Sequence, residues 1–300
     1  MSPEIVECYI KAGQVIANIR ERVRGIVEEG MPLLSLCEKV ETLIDQGGCR
    51  PAFPCNVDIN EIAAHYTSPP DDPKVIPSEA VVKIDLGAHL DGYVADTALT
   101  VSFDPLYEVM VQAVEEALEK AIELVRLGAK FSDVGSTIER KIKAYRFQPV
   151  RNLCGHLTTR FIVHVPVSIP NVASPFETGK FAPDNVYAIE PFATTADAAG
   201  EVVSLKEAYI YHLIKLKPPK AAGIEKLLRT IKERYWTLPF AKRWLLDVLP
   251  SEKLDRAFAT LLSHKIIQPY PVLIEKTARP VVQAEHTILL TKNDAIVITW

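Results

Sequence analysis

The sequence predicts an α+β fold built from two similar halves, and three observations carry that expectation. Long amphipathic helical patterns come in pairs, strand patterns follow each pair, and the second pair repeats the first at an offset of 98 residues. Ser2 and Pro3 read as a helix start, with the proline at the first helical position. From there Ile5, Val6, Tyr9, Ile10, Val15, Ile16, Ile19, Val23, Ile26 and Val27 keep a helical period that Gly30 stops. A second helix is predicted over 33–45, ending at Gly47 and Gly48. The later pair is predicted over 107–127, stopped by Gly128, and over 134–145. Under the offset, Gly30 falls on Gly128, Leu33 on Phe131, Leu36 on Val134, Val40 on Ile138, Glu41 on Glu139 and Ile44 on Ile142. Any two amphipathic helices match at some offset. A shared glycine stop alongside shared apolar positions favours a duplicated half, and so long a period points to a two-fold globular fold rather than a solenoid.

Strands are predicted over 81–88 and 93–103, flanking His89-Leu90-Asp91-Gly92, whose Asp-Gly ending signals a hairpin. In the second half 161–169, 185–190, 281–290 and 295–300 read as strands. A block at 218–271 differs in character, with helical patterns at 221–235, 240–246 and 252–263. Lys217 through Lys276 hold twelve basic and six acidic side chains, in a chain whose net charge is -4. The expected organisation is a main domain from 1–217 and 272–300, with 218–271 as an inserted helical subdomain. Its basic surplus reads first as a solvated face and second as a surface for RNA.

Composition narrows the class. Among 300 residues, 48% apolar and 24% charged exclude a disordered, collagenous or coiled-coil chain. A net charge of -4 gives no global pull toward nucleic acid or acidic lipid. No apolar run approaches the ~20 residues that span a bilayer. MSPEIVECYIKAG lacks the layout of a signal peptide. Cys8, Cys37, Cys49, Cys55 and Cys154 form no CxxC and leave one unpaired, so no disulfide framework is expected. A soluble cytoplasmic protein is the expectation.

The chemistry gathers on carboxylates. Asp85 lies in the apolar run VVKIDLG, where a lone carboxylate is costly to bury without a partner. If 89–92 form the hairpin loop, Asp85 sits opposite Asp96; a two-residue Asp91-Gly92 loop makes the two diagonal neighbours on one face. A three-residue loop would place them on opposite faces. Two such carboxylates repel, and a bound cation is the usual remedy. The plainer reading makes one a surface residue and the other a turn residue. Glu190 in VYAIEPF and Glu285 in QAEHTILL repeat the pattern in the second half. Four such residues, two per half, suggest a central site. His156 in NLCGH is a candidate nitrogen ligand. One imidazole with four carboxylates suits Mn, Fe, Co or Zn better than Mg or Ca, and suffices for two ions sharing bridging oxygens. Cys154 lacks a soft-ligand companion and reads as a packing residue. His65 and His164 are not needed as ligands, and a buried structural histidine is the plain alternative for each.

These residues match a family. The ordered set KIDLGAHLDGYVADT, CGH followed eight residues later by His164, IEPFAT and QAEHT resembles the methionine aminopeptidases. AFPCNVDINEIAAHYT, and TLPFAKRWL followed by PYPVL, resemble the type II branch. The chain is similar to archaeal members, which lack a charged N-terminal extension. The resemblance implies the pita-bread fold: two pseudo-symmetric halves around a curved antiparallel sheet, here with a winged-helix-like helical insertion. It further implies a dinuclear centre of Co, Mn, Fe or Zn. Asp85 would chelate one ion, His156 and Glu190 the other, while Asp96 and Glu285 bridge both. A bridging hydroxide would hydrolyse the peptide bond, with Glu190 as general base and then acid. By the same resemblance His164 contacts the scissile peptide, His65 assists from the other side, and Phe53, Phe192 and Tyr270 form the methionine pocket. The match of His212 to a further pocket histidine is looser. The implied substrates are N-termini of nascent polypeptides whose second residue is small, handled by a monomer with no membrane or DNA partner and a transient ribosome contact at most. A prolidase or aminopeptidase P shares fold and ligands but lacks the insertion. A non-catalytic binder of ribosomes, RNA or histones would lose ligands, and all five stand. A DNA-binding module in 218–271 conflicts with the acidic whole and with the place of Tyr270.

Overall fold

Apolar residues at helical spacing bury one face of α1 (Pro3–Arg24), including Tyr9, Ile16, Ile19 and Val23. Ser2 takes the expected extended cap conformation before Pro3, although its side chain makes no cap hydrogen bond. The helix ends at Gly25, before Gly30, and Val27 is buried from the turn that follows. This computed structural model describes residues 1–216 and 224–300. The first half continues with α2 (Leu33–Gln46), β1 (Arg50–Pro51), β2 (Asn56–Ile59), β3 (Ile62–Ala64), β4 (Val81–Leu90) and β5 (Tyr93–Ser102). The second opens with α3 (Pro105–Ile122), α4 (Phe131–Ala144), β6 (Gln148–Pro149), β7 (Cys154–Thr159), β8 (Ile162–Pro170), β9 (Asn185–Ile189) and β10 (Phe192–Thr194). Then come β11 (Val202–Leu213), α5 (Ile224–Tyr235), β12 (Phe240–Ala241), α6 (Ser251–Ser263) and β13 (Ile267–Glu275). The chain closes with β14 (Val281–Gln283), β15 (His286–Leu290) and β16 (Ala295–Val297).

The repeat is structural. Helices α2 and α4 are each 14 residues long and occupy positions 98 apart, as do β1 and β6. Gly30 and Gly128 both take a left-handed backbone, with φ of 80° and 78°. Their N–H groups close matching loops, onto the carbonyls of Ile76 at 2.8 Å and Phe181 at 2.9 Å. Each half has its own core. Ile16, Leu36, Ile84 and Leu99 pack under α1 and α2, whereas Val114, Ile138, Tyr187 and Ile288 pack under α3 and α4.

Among the described residues every strand pair is antiparallel. β4 lies between β1 and β2 on one side and β5 on the other, and β9 lies between β7 and β15. The halves meet where Ala98 of β5 bridges Glu285. β11 and β13 form a long ribbon that also carries β12 and β3, and a third core of Leu227, Ile231, Phe240, Leu254 and Leu261 sits beyond it. The pattern expected as a helix over 240–246 is β12 followed by a 3₁₀ turn at Lys242–Leu245. The start of the pattern at 221–235, and the expected boundary at 217/218, lie outside the described residues. β13 runs through the expected boundary at 271/272.

Candidate metal centre and active site

Turn chemistry fixes the first pair of carboxylates. Asp91 and Gly92 have φ of 52° and 87°, the two left-handed residues that a tight two-residue hairpin needs. Leu90 therefore pairs with Tyr93, Asp85 with Ala98 and Gly87 with Asp96. Of the registers open to the sequence, the two-residue loop holds, and Asp85 and Asp96 are diagonal neighbours on one face.

The second half delivers the rest. His156 lies on β7, and Glu190 directly follows β9 rather than ending it. Asn171 pins that corner, its Nδ2 donating to the carbonyls of Glu190 and Leu153 at 2.9 and 3.0 Å. The strand expected over 281–290 is broken at 284–285, between β14 and β15. There the N–H of Glu285 donates to the carbonyl of Ala98 at 3.1 Å. Asp96, His156 and Glu285 are buried, and each offers a ligand atom within 4.8 Å of the others. His156 Nε2 stands 3.6 Å from Glu190 Oε1 and 3.8 Å from Asp96 Oδ2.

This donor set fits divalent metal ions. Asp85 Oδ1, Asp96 Oδ1, Glu285 Oε1 and His156 Nδ1 are buried without a hydrogen-bond partner, an arrangement that costs free energy unless something else engages the site. Burial, followed by the charges of the other carboxylates, holds Asp85, Asp96, Glu190 and Glu285 well above the usual carboxylate range. Burial also lowers His156 to about 4, so its imidazole is neutral and able to ligate.

A cavity of about 190 Å³ ends on these groups. Phe53, Phe192 and Tyr270 line it, so the structure brings these three together with the five residues of the ligand set, whereas His212 is not part of the lining. Phe53 needs a bare backbone beneath it, because a Cβ on Gly87 would come within 2.3 Å of its ring. His65 and His164 line the same cavity. The His164 ring stands 4.3 Å from that of His156, and burial holds it well below the ordinary histidine range. His65 sits in a left-handed conformation with φ 71°, a strain on the order of 1–3 kcal/mol that clusters at functional sites. Its Nδ1 lies 3.1 Å from the carbonyl of Pro271, so that nitrogen carries the proton and Nε2 is an acceptor. His212 packs its ring 5.0 Å from Tyr270.

Cys154, read from the sequence as packing, also lines the cavity, as do Val163, Ile210 and Pro239. Pro239 arrives from the inserted segment, and its neighbour Leu238 packs with Phe53 and Val163. No local pattern marks those contacts. Gln283 was missed although its signal was present: it stands two residues before Glu285, is buried, and its Nε2 lies 3.5 Å from Glu285 Oε2.

Residues 7–292 match the model of metallopeptidase family M24. The chain belongs to metallopeptidase family M24. It is 40% identical over 299 residues to the methionine aminopeptidase of Methanothermobacter thermautotrophicus, covering 99% of both chains. Identity is 40% over 294 residues with that of Pyrococcus horikoshii, across 98% of this chain and 99% of the relative. With that of Saccharolobus solfataricus it is 39% over 306 residues, across 100% and 99%. Among solved structures, a thermophilic Arx1 superposes with a TM-score of 0.83 at 17% identity, covering 99% of this chain and 91% of that one. Methionine aminopeptidase from Thermotoga maritima gives 0.70 at 22%, over 100% and 98%. Prolidase from Pyrococcus furiosus gives 0.63 at 18%, over 100% of this chain and 64% of that one. These structural likenesses show the fold, the expected pita-bread arrangement. Family M24 membership makes divalent metal use a property of the chain, and Asp96, His156 and Glu285 form the cluster that can hold it. Among the described residues no helix is long and apolar enough to cross a membrane.

Proposed function

We propose that this metallopeptidase removes the N-terminal methionine from peptides and nascent proteins whose second residue is small. The observation that supports it most is the cavity itself, aromatic along its walls and ending on one imidazole and four carboxylates. Aromatic walls suit a flexible thioether, because sulfur–ring contacts are favourable. The acidic end suits a free α-amino group. In this reading 1–217 and 272–300 form the catalytic domain, and the insertion at 218–271 helps close the pocket through Pro239.

Two divalent ions, drawn from Co, Mn, Fe or Zn, would be held by Asp85, Asp96, His156, Glu190 and Glu285. Bound there, they supply Lewis acidity and bring water ionisation close to neutral pH. The protein's own groups do the remainder. Glu190, at the cavity wall, takes a proton from the attacking water and returns it to the leaving amine. His164 stays neutral and contacts the scissile peptide, where a donated hydrogen bond stabilises developing charge. His65 is assigned a different part from His164. With Nδ1 committed to Pro271, its Nε2 accepts from a substrate N–H and so orients the amine end.

The test is release of free methionine from a short peptide panel. Met-Gly, Met-Ala and Met-Ser peptides should be cut, while Met-Lys, Met-Phe and N-acetylated peptides survive. Elemental analysis should find close to two ions per active chain, and chelation should stop turnover until an ion is returned. X-Pro peptides cleaved in preference to Met-Ala would transfer the case to a prolidase-like activity. We also assign the exposed Lys226, Arg229 and Lys232 of α5 to a transient contact with ribosomal RNA. Cosedimentation with ribosomes should weaken with salt and on charge reversal there; indifference to both would remove that assignment.

A further inference from the structure

Main-chain pairing nearly stops where the two halves join. Between β5 and the β14–β15 segment a single bridge, Ala98 to Glu285, carries a direct backbone bond. On either side of it threonine hydroxyls take over. Thr287 Oγ1 donates to the carbonyl of Asp96 at 2.6 Å and accepts from the N–H of the same residue at 2.8 Å. Thr100 Oγ1 does the same to Gln283, donating to its carbonyl at 2.7 Å and accepting from its N–H at 2.9 Å. Thr97 Oγ1 donates to the carbonyl of Glu285 at 2.7 Å.

The pattern is reciprocal. Thr100 stands four residues after Asp96, Thr287 stands four after Gln283, and each reaches across to the other strand's earlier residue. All three threonines are buried. A hydroxyl is both donor and acceptor, so one oxygen can satisfy both main-chain groups of a facing residue, which valine of nearly the same shape cannot. Direct pairing would draw the strands to roughly 4.8 Å. A hydroxyl interposed between them sets a different spacing at the one place where carboxylates from both halves must share a site.

We propose that Thr287, Thr97 and Thr100 are positioning residues that fix the separation of Asp96 and Glu285, and through it the affinity of the site for metal ions. This rests on the reading of Asp96 and Glu285 as shared ligands. Thr287 has the leading part, because it holds both main-chain groups of Asp96.

The test titrates the purified apoprotein with cobalt(II) alone, following visible absorption and heat. Groups that orient ligands typically tune metal affinity by about 10–100-fold. Thr287→Val should therefore weaken cobalt binding by about that much and shift the absorption bands, whereas Thr287→Ser, which keeps the hydroxyl, should stay within about threefold of wild type. Thr97→Val removes a single bond and should fall between them, which keeps the test usable if Thr287→Val does not fold. A Thr287→Val or Thr97→Val protein with wild-type cobalt affinity and spectrum, whatever its melting temperature, would overturn the proposal. If wild-type protein itself takes up no cobalt, the metal-centre reading falls, and this proposal falls with it.

Discussion

The two halves use one scaffold differently. Strand registers align them residue by residue: Asn56 faces Asp85 and Asp58 faces Lys83 in the first half, while His156 faces Ala188 in the second. Asp85 also faces Ala98, and Ile189 faces His286, which sets Glu190 beside Glu285. Equivalent positions are therefore Asp58 and His156, Lys83 and Ala188, Asp85 and Glu190, Asp96 and Gln283, Ala98 and Glu285. Only Asp85 and Glu190 are candidate ligands in both halves. At the His156 position the first half has Asp58, which accepts from the N–H of Tyr66 at 2.8 Å and faces a lysine instead of an ion. Lys83 is wholly buried, its Nζ donating to the carbonyls of Val281 at 2.9 Å and Asn60 at 3.1 Å. A built-in cation lies on one side of the pseudo-symmetry and a candidate metal ligand on the other. The halves share one scaffold, and point differences between them make the site one-sided.

The largest expected effects break that asymmetry. Glu285→Ala or Asp96→Ala should abolish turnover and lower bound metal, and full activity of either at limiting metal would dismiss the dinuclear assignment. His156→Ala should likewise lose metal. Asp58→Asn, at the equivalent place, should keep its metal content while losing about 1 kcal/mol of stability, because burial already raises that carboxyl to about 7 and the amide oxygen can still accept from the N–H of Tyr66. Metal analysis and thermal melting of this pair would show whether the halves differ as described.

Next comes His164→Ala. It should lower kcat by about 10²–10³ with metal stoichiometry unchanged, as expected for a lost transition-state contact. Metal content falling in step with activity would make the residue a ligand.

A further contrast lies between Glu41 and Glu139, which occupy the same place in α2 and α4. Glu41 is buried, pairs with Arg243, accepts from Trp244 Nε1 at 2.8 Å and takes the N–H of Cys55 at 3.1 Å. Glu139 meets Lys143 at 2.5 Å and takes the N–H of Ala173 at 2.8 Å, closer to solvent. Glu41→Ala leaves Arg243 buried without its carboxylate and should cost about 3–5 kcal/mol. Glu139→Ala should cost about 1 kcal/mol. Equal costs in denaturant titration would contradict this contrast, in which Glu41 ties α2 to Arg243 and Trp244 of the inserted segment and Glu139 ties α4 to no such element.

The last expected effect is a pH dependence. His89 is buried behind the first hairpin, accepts from the N–H of Gly92 at 3.0 Å, and burial lowers it to about 4. As pH drops from 6.5 toward 4, the unfolded chain takes up a proton that the native one refuses, so stability falls across that window. At roughly 1.4 kcal/mol per unit, about 2 kcal/mol should be gone by pH 5. His89→Gln should change that slope by its own share, roughly 1.4 kcal/mol per unit between pH 6.5 and 5, while the other buried groups keep theirs; an unchanged slope would remove His89 from the account.

Much of the site was legible because burial makes a lone carboxylate conspicuous. Asp85, Glu190 and Glu285 each interrupt an apolar run, and the Asp91-Gly92 turn then limits where Asp96 can stand. The four main-domain helices were legible from their period, although α3 stops at Ile122 rather than running to 127. β11 was not, because irregularities between Ser204 and Ala208, and again between Ala208 and Ile210, throw its alternation out of phase. β7 was hidden by Gly155 and polar residues, which do not resemble a buried strand. Pro239 reaches the pocket, and Leu238 backs its wall at Phe53 and Val163, through contacts across the fold that no local window contains.

The junction between β5 and β15 also has a bearing on synthesis. A ribosome makes the chain in one direction, and Asp85 and Asp96 emerge long before Glu285. A polypeptide halted after β13 would possess its helices, most of its hydrophobic interior and the residues of its aromatic pocket, yet lack Gln283, Glu285 and Thr287. With Glu285 a metal ligand, as proposed, such a fragment would lack catalytic power, and β5, though paired with β4, would have no bridge to the second half. On that reading partial products are silent, and proteolytic activity switches on only after Glu285 and Thr287 have been made.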